Sequence, residues 1–217
     1  KEFTPMHLSV MDGGLDMVEY IYYMSLNYGG MEVFLADTTG KVNLLSGSQP
    51  QLDGLKLSEN GKKAAYLDTD ANTGDTILVE IELGKEKAET VATNVQSFGY
   101  IGNTLIYYFD YTEGVGTLGA AGSKTTIANA SGVQFTEDAV YYVADADAAT
   151  GNGELRAWDG KTETAIAKDV FAFQYKENGK LVYIGKYDVN AGVGDLYYYD
   201  GKEARKLDTG ITAIFIY

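Results

Sequence analysis

One acidic segment, D-T-D-A-N-T-G-D, carries the side chains of this chain that are best suited to hold a metal ion. Its oxygen ligands are Asp68, Asp70, Asn72 and Asp75, mostly at alternate positions. Ligands at this spacing converge in a turning loop and can wrap a calcium ion. The segment departs from the EF-hand pattern, because Thr73 stands where that pattern requires glycine. It therefore predicts at most a weak calcium site, and no other cofactor is expected.

Turn geometry alone offers a second and favoured interpretation of the same segment. Asp, Asn and Gly are preferred in loops, because their side chains bond to the nearby backbone or tolerate positive φ. Similar residues recur at Asp110, in the stretch 145–153 and at 188–190. These segments are predicted to be equivalent loops that join a second strand to a third strand.

The composition excludes several kinds of catalytic site. The chain has 217 residues, no cysteine and a single histidine, His7. Disulfides, thiolate metal sites, cysteine nucleophiles and multi-histidine metal sites therefore cannot form. No G-x-S-x-G motif occurs, and no serine has a base near it in the sequence. The chain is predicted not to be an enzyme, and no catalytic residue is assigned.

The charge balance limits the partners. Seventeen basic residues stand against 31 acidic ones, for a net charge of −14. Such a chain repels the phosphates of nucleic acids and of anionic membrane surfaces. No apolar run approaches the length that spans a bilayer, so this segment is not expected to insert into a membrane. A protein or a glycan remains as the expected partner.

Three anchors recur along the chain in a fixed order, and this repetition indicates the elements that position the loops. The first anchor is an apolar pair, found at Leu8/Met11, Leu52/Leu55, Val95/Phe98, Val133/Phe135, Val170/Phe173 and Ile211/Ile214. The second is a tyrosine in a short apolar run, at Tyr23, Tyr66, Tyr108, Tyr142 and Tyr183. The third is a small residue before lysine, at Gly40-Lys41, Gly84-Lys85, Ser123-Lys124, Gly160-Lys161 and Gly201-Lys202. The tyrosines are spaced by 43, 42, 34 and 41 residues.

Each period is predicted to form four short antiparallel strands. In the last copy, Asn178-Gly179 separates two apolar runs and predicts a tight hairpin. Asp200-Gly201 predicts a second tight turn, of type I′. Two-residue turns join antiparallel neighbours, so the unit is a meander and not a βαβ unit. In the third copy, residues 114–122 lack the usual apolar strand pattern, so that copy is expected to be the least complete.

A four-stranded meander of about 40 residues cannot bury both of its faces alone, and radial stacking of such sheets gives a β-propeller. We therefore predict an all-β chain, 1–217, that forms one β-propeller of about five blades. The approximate repeats are 1–51, 52–94, 95–132, 133–169 and 170–217. The sequence offers six first strands but only five sets of the other three, so an open or incomplete stack is the alternative. The anchor tyrosines are predicted to pack between blades.

The pattern V-x-x-F, N-G, L-V-Y-I and G-D-L-Y-Y-Y-D-G-K resembles the repeats of TolB-like propellers. It resembles more closely a propeller-like family of unknown function in surface proteins of Gram-positive gut bacteria. The resemblance covers nearly the whole chain, but its motifs are structural, so it implies no functional residues. It implies an extracellular or cell-surface protein, which in some members carries an N-terminal membrane anchor. Because this chain begins with Lys1, it is expected to be a processed or trimmed piece whose anchor, if any, lies outside it.

Three functions are compatible with these patterns. The first is a non-enzymatic extracytoplasmic binding or scaffold module, because stacked repeats present a broad rigid surface with variable loops. The second is a carbohydrate-binding, lectin-like propeller, in which Trp158 would be a candidate for stacking on a sugar, although packing is its favoured role. The third and least favoured is a glycoside hydrolase, for which Asp53 is the only acid within an apolar pair.

Overall fold

The computed structural model describes residues 8–11, 20–27, 30–37, 42–45, 51–85 and 88–215, with side chains from residue 54 onward. This part of the chain contains β-strands and no α-helix. It therefore contains no helix that is long and apolar enough to cross a membrane. The chain divides into two compact units, residues 1–96 with 102–105 and residues 97–101 with 106–217.

The first unit contains two four-stranded antiparallel meanders, in each of which every strand pairs with the next. Blade 1 consists of β1 (Leu8–Met11), β2 (Tyr20–Asn27), β3 (Gly30–Asp37) and β4 (Val42–Leu45). Blade 2 consists of β5 (Gln51–Leu57), β6 (Lys63–Thr69), β7 (Thr76–Glu82) and β8 (Ala88–Thr93). Leu55, Tyr66, Val79 and Ile81 form the core on one face of blade 2. The first apolar pair, Leu8/Met11, coincides with β1 as expected.

The remaining ten strands form one sheet in which consecutive strands are neighbours, and most of this sheet belongs to the second unit. They are β9 (Val95–Ile101), β10 (Thr104–Thr112), β11 (Val115–Ala120), β12 (Thr126–Phe135), β13 (Val140–Ala144), β14 (Gly153–Trp158), β15 (Glu163–Glu177), β16 (Lys180–Asp188), β17 (Val193–Tyr199) and β18 (Ala204–Ile211). The third repeat is complete, because β11 pairs with both of its neighbours and buries Leu118. The sixth first strand does not form, since β18 ends at Ile211 and residues 212–215 are not in a strand.

Two of these strands are shared between successive meanders. β12 pairs with β11 through residues 126–131 and with β13 through residues 130–135. β15 pairs with β14 through residues 163–170 and with β16 through residues 170–177. Each shared strand is therefore the fourth strand of one blade and the first strand of the next. Blades 3, 4 and 5 follow from this division, with β9–β11 at the start of blade 3 and β16–β18 at the end of blade 5.

The shared strands bend at residues that take the left-handed backbone region. Gly132 has a φ of 59° and Asp169 a φ of 54°. Asn94, between β8 and β9, takes the same conformation with a φ of 54°. Glycine adopts this region freely, and Asn and Asp tolerate it better than other side chains. The residue before the apolar pair of blades 3, 4 and 5 is thus suited to redirect the chain from one blade to the next.

Blade 4 is buried on both faces, because it lies between blades 3 and 5. All five residues of β13 are buried. Val140 and Tyr142 belong to a core cluster with blade 3, which contributes Leu118. Tyr141 and Val143 belong to another cluster, to which blade 5 contributes a second set of apolar residues that includes Phe173, Leu181 and Tyr183. Because successive side chains of a strand point to opposite faces, β13 contributes residues to both core clusters.

The predicted packing role of the anchor tyrosines is confirmed where their side chains are described. Tyr66, Tyr108, Tyr142 and Tyr183 are all buried. The Tyr108 hydroxyl donates to the carbonyl oxygen of Ala130 at 2.8 Å. Desolvation, followed by the nearby Tyr111, raises the pKa of Tyr108 to about 12. The side chain of Tyr23 lies outside the described residues.

The two predicted tight turns differ in outcome. Asn178 and Gly179 both have positive φ, at 49° and 73°, as a type I′ hairpin requires, so that prediction is confirmed. At the other turn Gly201 has a φ of 98°, but Asp200 is not in the positive region, so the type I′ prediction was wrong. The Asp200 carboxylate instead accepts the backbone N–H groups of Lys202 and Glu203, both at 2.9 Å. The Asp200 N–H also donates to the carbonyl oxygen of Glu203 at 3.2 Å, so the central residues of the turn are Gly201 and Lys202 and not Asp200 and Gly201.

Candidate functional site

Three of the loops that join second to third strands share one backbone geometry. In each of the three, an aspartate is followed four residues later by a glycine with positive φ, in the pattern D-x-x-x-G: Asp70–Gly74, Asp147–Gly151 and Asp188–Gly192. The glycine N–H donates to the carbonyl oxygen of the aspartate, at 2.8, 2.7 and 2.8 Å respectively. The aspartate Oδ1 accepts the N–H groups two and three residues later. The predicted equivalence of the loops at 68–75, 145–153 and 188–190 is therefore confirmed. The prediction that Asp110 belongs to an equivalent loop was wrong, because β10 continues to Thr112, which pairs with Val115, and leaves Glu113 and Gly114 as the turn.

The four predicted calcium ligands are partly engaged in this turn. Asp70 Oδ1 accepts the N–H groups of Asn72 at 2.8 Å and Thr73 at 3.2 Å. These backbone hydrogen bonds lower the pKa of Asp70. Asp68 is buried and accepts the N–H of Thr69 at 2.8 Å, while Asp75 is exposed and its N–H donates to the Thr73 hydroxyl. Among the described residues, no group of three His, Cys, Asp or Glu side chains could hold a metal ion. Calcium binding stays a prediction.

The candidate for sugar stacking is not accessible. Trp158 is only 2% exposed and belongs to the core between blades 3 and 4, which confirms the packing interpretation. Asp53, the glycosidase candidate, lies in β5, but its side chain is outside the described residues, as is His7. The structure therefore directs attention to other side chains near the loops.

One end of the second unit gathers the loops, and we call it the loop face. Strand direction alternates in a meander, so the second-to-third loops and the crossovers to the next blade lie at the same end. The loop face consists of residues 110–115, 129–132, 145–153, 168–171 and 186–193. Two contacts across it agree with this arrangement, since Asn129 Nδ2 donates to Asp145 Oδ1 at 3.1 Å and Asn152 contacts Tyr187.

An aromatic pair lies on the loop face. The rings of Phe171 and Tyr187 are stacked, with centroids 3.9 Å apart and planes at 8°. Phe171 comes from the crossover into blade 5 and is 36% exposed. Tyr187 comes from the end of β16, and Val189, in the loop that follows it, is 52% exposed. We call Phe171, Tyr187 and Val189 the aromatic platform.

Two side-chain amides fix blade 5 against blade 4. Asn152 Nδ2 donates to the carbonyl oxygen of Tyr187 at 2.9 Å, and its Oδ1 accepts the Tyr187 N–H at 3.2 Å. Gln134 Nε2 donates to the carbonyl oxygen of Phe173 at 3.0 Å, and its Oε1 accepts the N–H of Tyr175 at 3.0 Å. Each amide thus bonds to one N–H and one carbonyl oxygen of the blade 5 backbone, as a neighbouring strand would. Asn152 holds the platform directly.

A charged network lies on the blade 4 face that carries Tyr142. Arg156 Nε donates to Glu154 at 2.7 Å, and Nη1 donates to Glu163 at 2.8 Å. The Tyr142 hydroxyl donates to the same Glu163 oxygen at 2.6 Å. Burial alone would raise the pKa of Glu163, but the bonds from Tyr142 and Arg156 outweigh it and lower that pKa. These carboxylates are committed to internal partners, and the network fastens β15 to β13 and β14.

The platform was missed in the sequence, although a signal for it exists there. Phe171 follows the first apolar residue of its pair and falls at a bulge of β15. Tyr187 precedes the loop aspartate, where the fourth repeat has Ala146 and the third repeat has Tyr111 at the equivalent bulge. The signal is an aromatic residue next to a loop, outside the alternating pattern that fills the core.

Comparisons with known proteins identify the fold. No family model and no curated protein matches the chain. The chain is similar to an acylaminoacyl peptidase from Pyrococcus horikoshii, at 14% identity and a TM-score of 0.51, over 94% of this chain and 39% of that one. It is similar to the β-propeller domain of the Trilobed protease from Pyrococcus furiosus, at 14% identity and a TM-score of 0.51, over 95% and 72%. An uncharacterized protein from Listeria monocytogenes EGD-e aligns at 9% identity and a TM-score of 0.50, over 96% and 70%.

At these identities the similarity shows the fold alone. The prediction of an all-β propeller built from four-stranded antiparallel blades is confirmed. The chain spans about two fifths of the length of the peptidases that it matches. TolB from Acinetobacter baumannii aligns with a TM-score of 0.41, which is too low to support a closer tie to TolB than to other propellers. The resemblance to surface proteins of gut bacteria stays a prediction.

Proposed function

We propose that this chain is a non-enzymatic binding or scaffold module that works outside the cytoplasm and contacts its partner through the loop face. The observation that carries the proposal is a constant loop frame with variable contents. The loops that begin at Asp147 and Asp188 have the same backbone hydrogen bonds. The three residues between the aspartate and the glycine differ, A-A-T in one loop and V-N-A in the other. A rigid frame that displays different side chains in each blade suits recognition.

The engagement of the acidic side chains favours binding over catalysis. A glycosidase needs two carboxylates that face a shared substrate. In the second unit, Asp147 and Asp188 accept backbone N–H groups of their own loops. Glu154 and Glu163 are bound by Arg156. These acids therefore serve the fold, and none of them faces another across a cleft in the contacts described.

The partner is proposed to be a protein or a glycan. The net charge of −14 disfavours nucleic acid. Burial of Trp158 removes the side chain that most favoured a lectin, so a protein partner comes first. The extracytoplasmic location rests on the acidic composition, the absence of cysteine and the resemblance to surface proteins. Fractionation of the source cells, with an antiserum against the folded chain, tests that location, and a purely cytoplasmic signal would contradict it.

A loop exchange tests the proposed function. Displayed random peptides and a glycan array are screened on the natural chain, and every binder is measured again on the variant Val189→Ala/Asn190→Ala/Ala191→Thr. This variant gives the loop at Asp188 the contents of the loop at Asp147, so the backbone frame is expected to persist. We expect binders that lose affinity on this exchange.

The control exchange is Glu203→Thr, which gives the hairpin at Asp200 the sequence D-G-K-T of the hairpin at Asp159. Both hairpins have the same aspartate cap, so the fold is again expected to persist. Binders that respond to the control and ignore the loop exchange would contradict the loop face. Turnover of chromogenic glycosides, abolished by Asp53→Asn, would contradict the non-enzymatic assignment.

A further inference from the structure

Both rings of the aromatic platform come from bulged positions, since neither Phe171 in β15 nor Tyr187 in β16 is paired with a neighbouring strand there. At the position of Tyr187, blade 3 has Tyr111 at the equivalent bulge of β10, and blade 4 has Ala146. Blade 4 forms without an aromatic ring at that position, so the ring of Tyr187 is not needed to complete a blade. Exposing an aromatic ring to water is unfavourable, by about 25 cal/mol for each Å² of apolar surface. The two rings therefore point to a role outside the core.

The platform is held in place by blade 4 and remains partly exposed. The Asn152 amide fixes both backbone polar groups of Tyr187. Gly151 lies against Phe171, and a Cβ at that position would come within 3.0 Å of the ring. Gly192 passes beside the Tyr187 hydroxyl, at 3.9 Å from a Cβ placed there. Glycines in both loops thus leave room for the stacked rings, and a preorganised surface loses little entropy when it binds.

The charges around the platform favour a cation. Asp169 and Asp188 are exposed and lie within two residues of the platform in the sequence, and Asp147 is exposed in the loop whose Gly151 contacts Phe171. Lys168 and Lys186 are the opposing charges. The pKa of Asp195 is lowered by Lys206 and also by Lys186, which places Lys186 close to a further carboxylate. Beyond this rim, the field of the whole chain corresponds to a net charge of −14.

Resting on the proposed function, we propose that the aromatic platform is the docking site for an arginine side chain presented by a polypeptide partner. A guanidinium is planar, stacks on aromatic faces and keeps its charge at every physiological pH. The acidic rim and the negative field attract it, whereas a neutral sugar gains nothing from either. Among the exposed apolar side chains of the described residues, Phe171 is the one stacked on a second ring within the loop face.

The test uses fluorescence anisotropy with a fluorescein-labelled G-S-R-G-R-S-G peptide and the whole chain. The variant Phe171→Gln removes the ring and leaves the net charge unchanged. We expect affinity to fall by about 3- to 30-fold, the range of a cation–π contact. Tyr187→Ala, which introduces the residue type found at the equivalent Ala146, is expected to act in the same direction. Leu207→Thr, which alters an exposed apolar residue on β18, is the control and is expected to have no effect.

Two further measurements define the chemistry. A peptide with citrulline in place of arginine keeps the shape but loses the charge, and it is expected to bind the natural chain as weakly as the arginine peptide binds Phe171→Gln. Binding of the arginine peptide is also expected to weaken as salt rises, because salt screens the acidic rim.

Several outcomes would overturn the proposal. The arginine peptide fails to bind at a concentration of about 1 mM, which corresponds to a weak affinity. Phe171→Gln binds the arginine peptide as tightly as the natural chain does, or the citrulline peptide binds as tightly as the arginine peptide. A neutral glycan binds at Phe171 in place of the peptide. Self-association that is lost in Phe171→Gln, seen by sedimentation, would identify a second copy as the occupant and would also overturn it. Circular dichroism confirms that each variant is folded, and Tyr187→Ala keeps the test open if Phe171→Gln is not. If the arginine peptide fails while loop-dependent binders remain, this inference falls and the proposed function stands.

Discussion

The Asn152 amide permits a quantitative test of how blades 4 and 5 are held together. Its two hydrogen bonds to Tyr187, at 2.9 and 3.2 Å, are made by a half-buried side chain. A hydrogen bond contributes about 0.5–1.5 kcal/mol net, so Asn152→Ala is expected to lower the free energy of unfolding by about 2 kcal/mol. For a chain of this length, 1 kcal/mol corresponds to a shift of about 2–4 °C in Tm, so we expect Tm to fall by about 4–8 °C.

Two variants separate the amide from its surroundings. Asn152→Asp can still accept the Tyr187 N–H, but it cannot donate to the carbonyl oxygen and would place a carboxylate against it. It is therefore expected to be at least as destabilising as Asn152→Ala. Asn190→Ala is the matched control, because Asn190 is an exposed asparagine of a neighbouring loop, and there only its backbone N–H serves the turn.

Thermal unfolding followed by circular dichroism gives Tm, and hydrogen exchange gives the local effect. The Tyr187 amide is expected to exchange about tenfold faster or more in Asn152→Ala, because it loses its acceptor. Amides in the middle of β13 report on the blade 4 core and are expected to change less. If Tm and the Tyr187 exchange rate in Asn152→Ala match those of Asn190→Ala, the amide does not hold the two blades together.

Single contacts give three further predictions. Gly153→Ala would place a Cβ 2.6 Å from Val143 Cγ1 and in conflict with the Ala144 carbonyl oxygen, so the free energy of unfolding in urea should fall by about 1–3 kcal/mol. Gly99→Ala is the control and should cost less, because its Cβ would meet the Phe135 side chain at 3.0 Å. Equal losses for the two variants would contradict the backbone conflict. Tyr142→Phe removes a hydrogen-bond donor to Glu163, whose partners lower its pKa in the folded protein below the ordinary 4.5. The loss of stability relative to the natural chain should therefore be complete above the ordinary pKa and should shrink as the pH falls through the lowered pKa. Urea titrations from neutral to acid pH measure it, and a difference that grows toward acid would refute the assignment. Asp70→Ala should lower Tm equally in EDTA and in calcium chloride, because the turn is closed by backbone N–H groups; a loss confined to calcium would instead establish the metal site.

The repeat, the strands and the buried tyrosines could be predicted because each depends on local signals. Period-two alternation and a spacing of roughly 40 residues define the blades, and Asn178-Gly179 has the turn chemistry that its hairpin requires. The turn at Asp200 could not be predicted correctly, because the Asp200 side chain competes with the Asp200 carbonyl oxygen for the N–H groups of Lys202 and Glu203. That competition depends on side-chain geometry and not on residue preference alone.

The site was less predictable than the fold. The acidic segment at Asp70 was predicted as a candidate calcium site because carboxylates can ligate a metal ion, yet its hydrogen bonds are those of a turn. The platform depends on two residues, Phe171 and Tyr187, which are 16 positions apart and meet only when β15 and β16 pair. Phe171 was visible as an aromatic residue beside an apolar pair, but its meaning required the knowledge that it falls at a bulge of β15 and is exposed.

The shared strands determine where this chain can be cut or extended. Because β12 and β15 each serve two blades, excision of one whole blade would divide a strand and leave two unpaired edges. Duplications or deletions that preserve every strand must instead run from one hairpin tip to the next, for example from residue 137 to residue 178. The segment of sequence that can be copied without dividing a strand is thus offset by half a blade from the sheet that it forms, so a break in the chain between Asn178 and Gly179 leaves every strand whole, whereas a break at Asp169 divides β15.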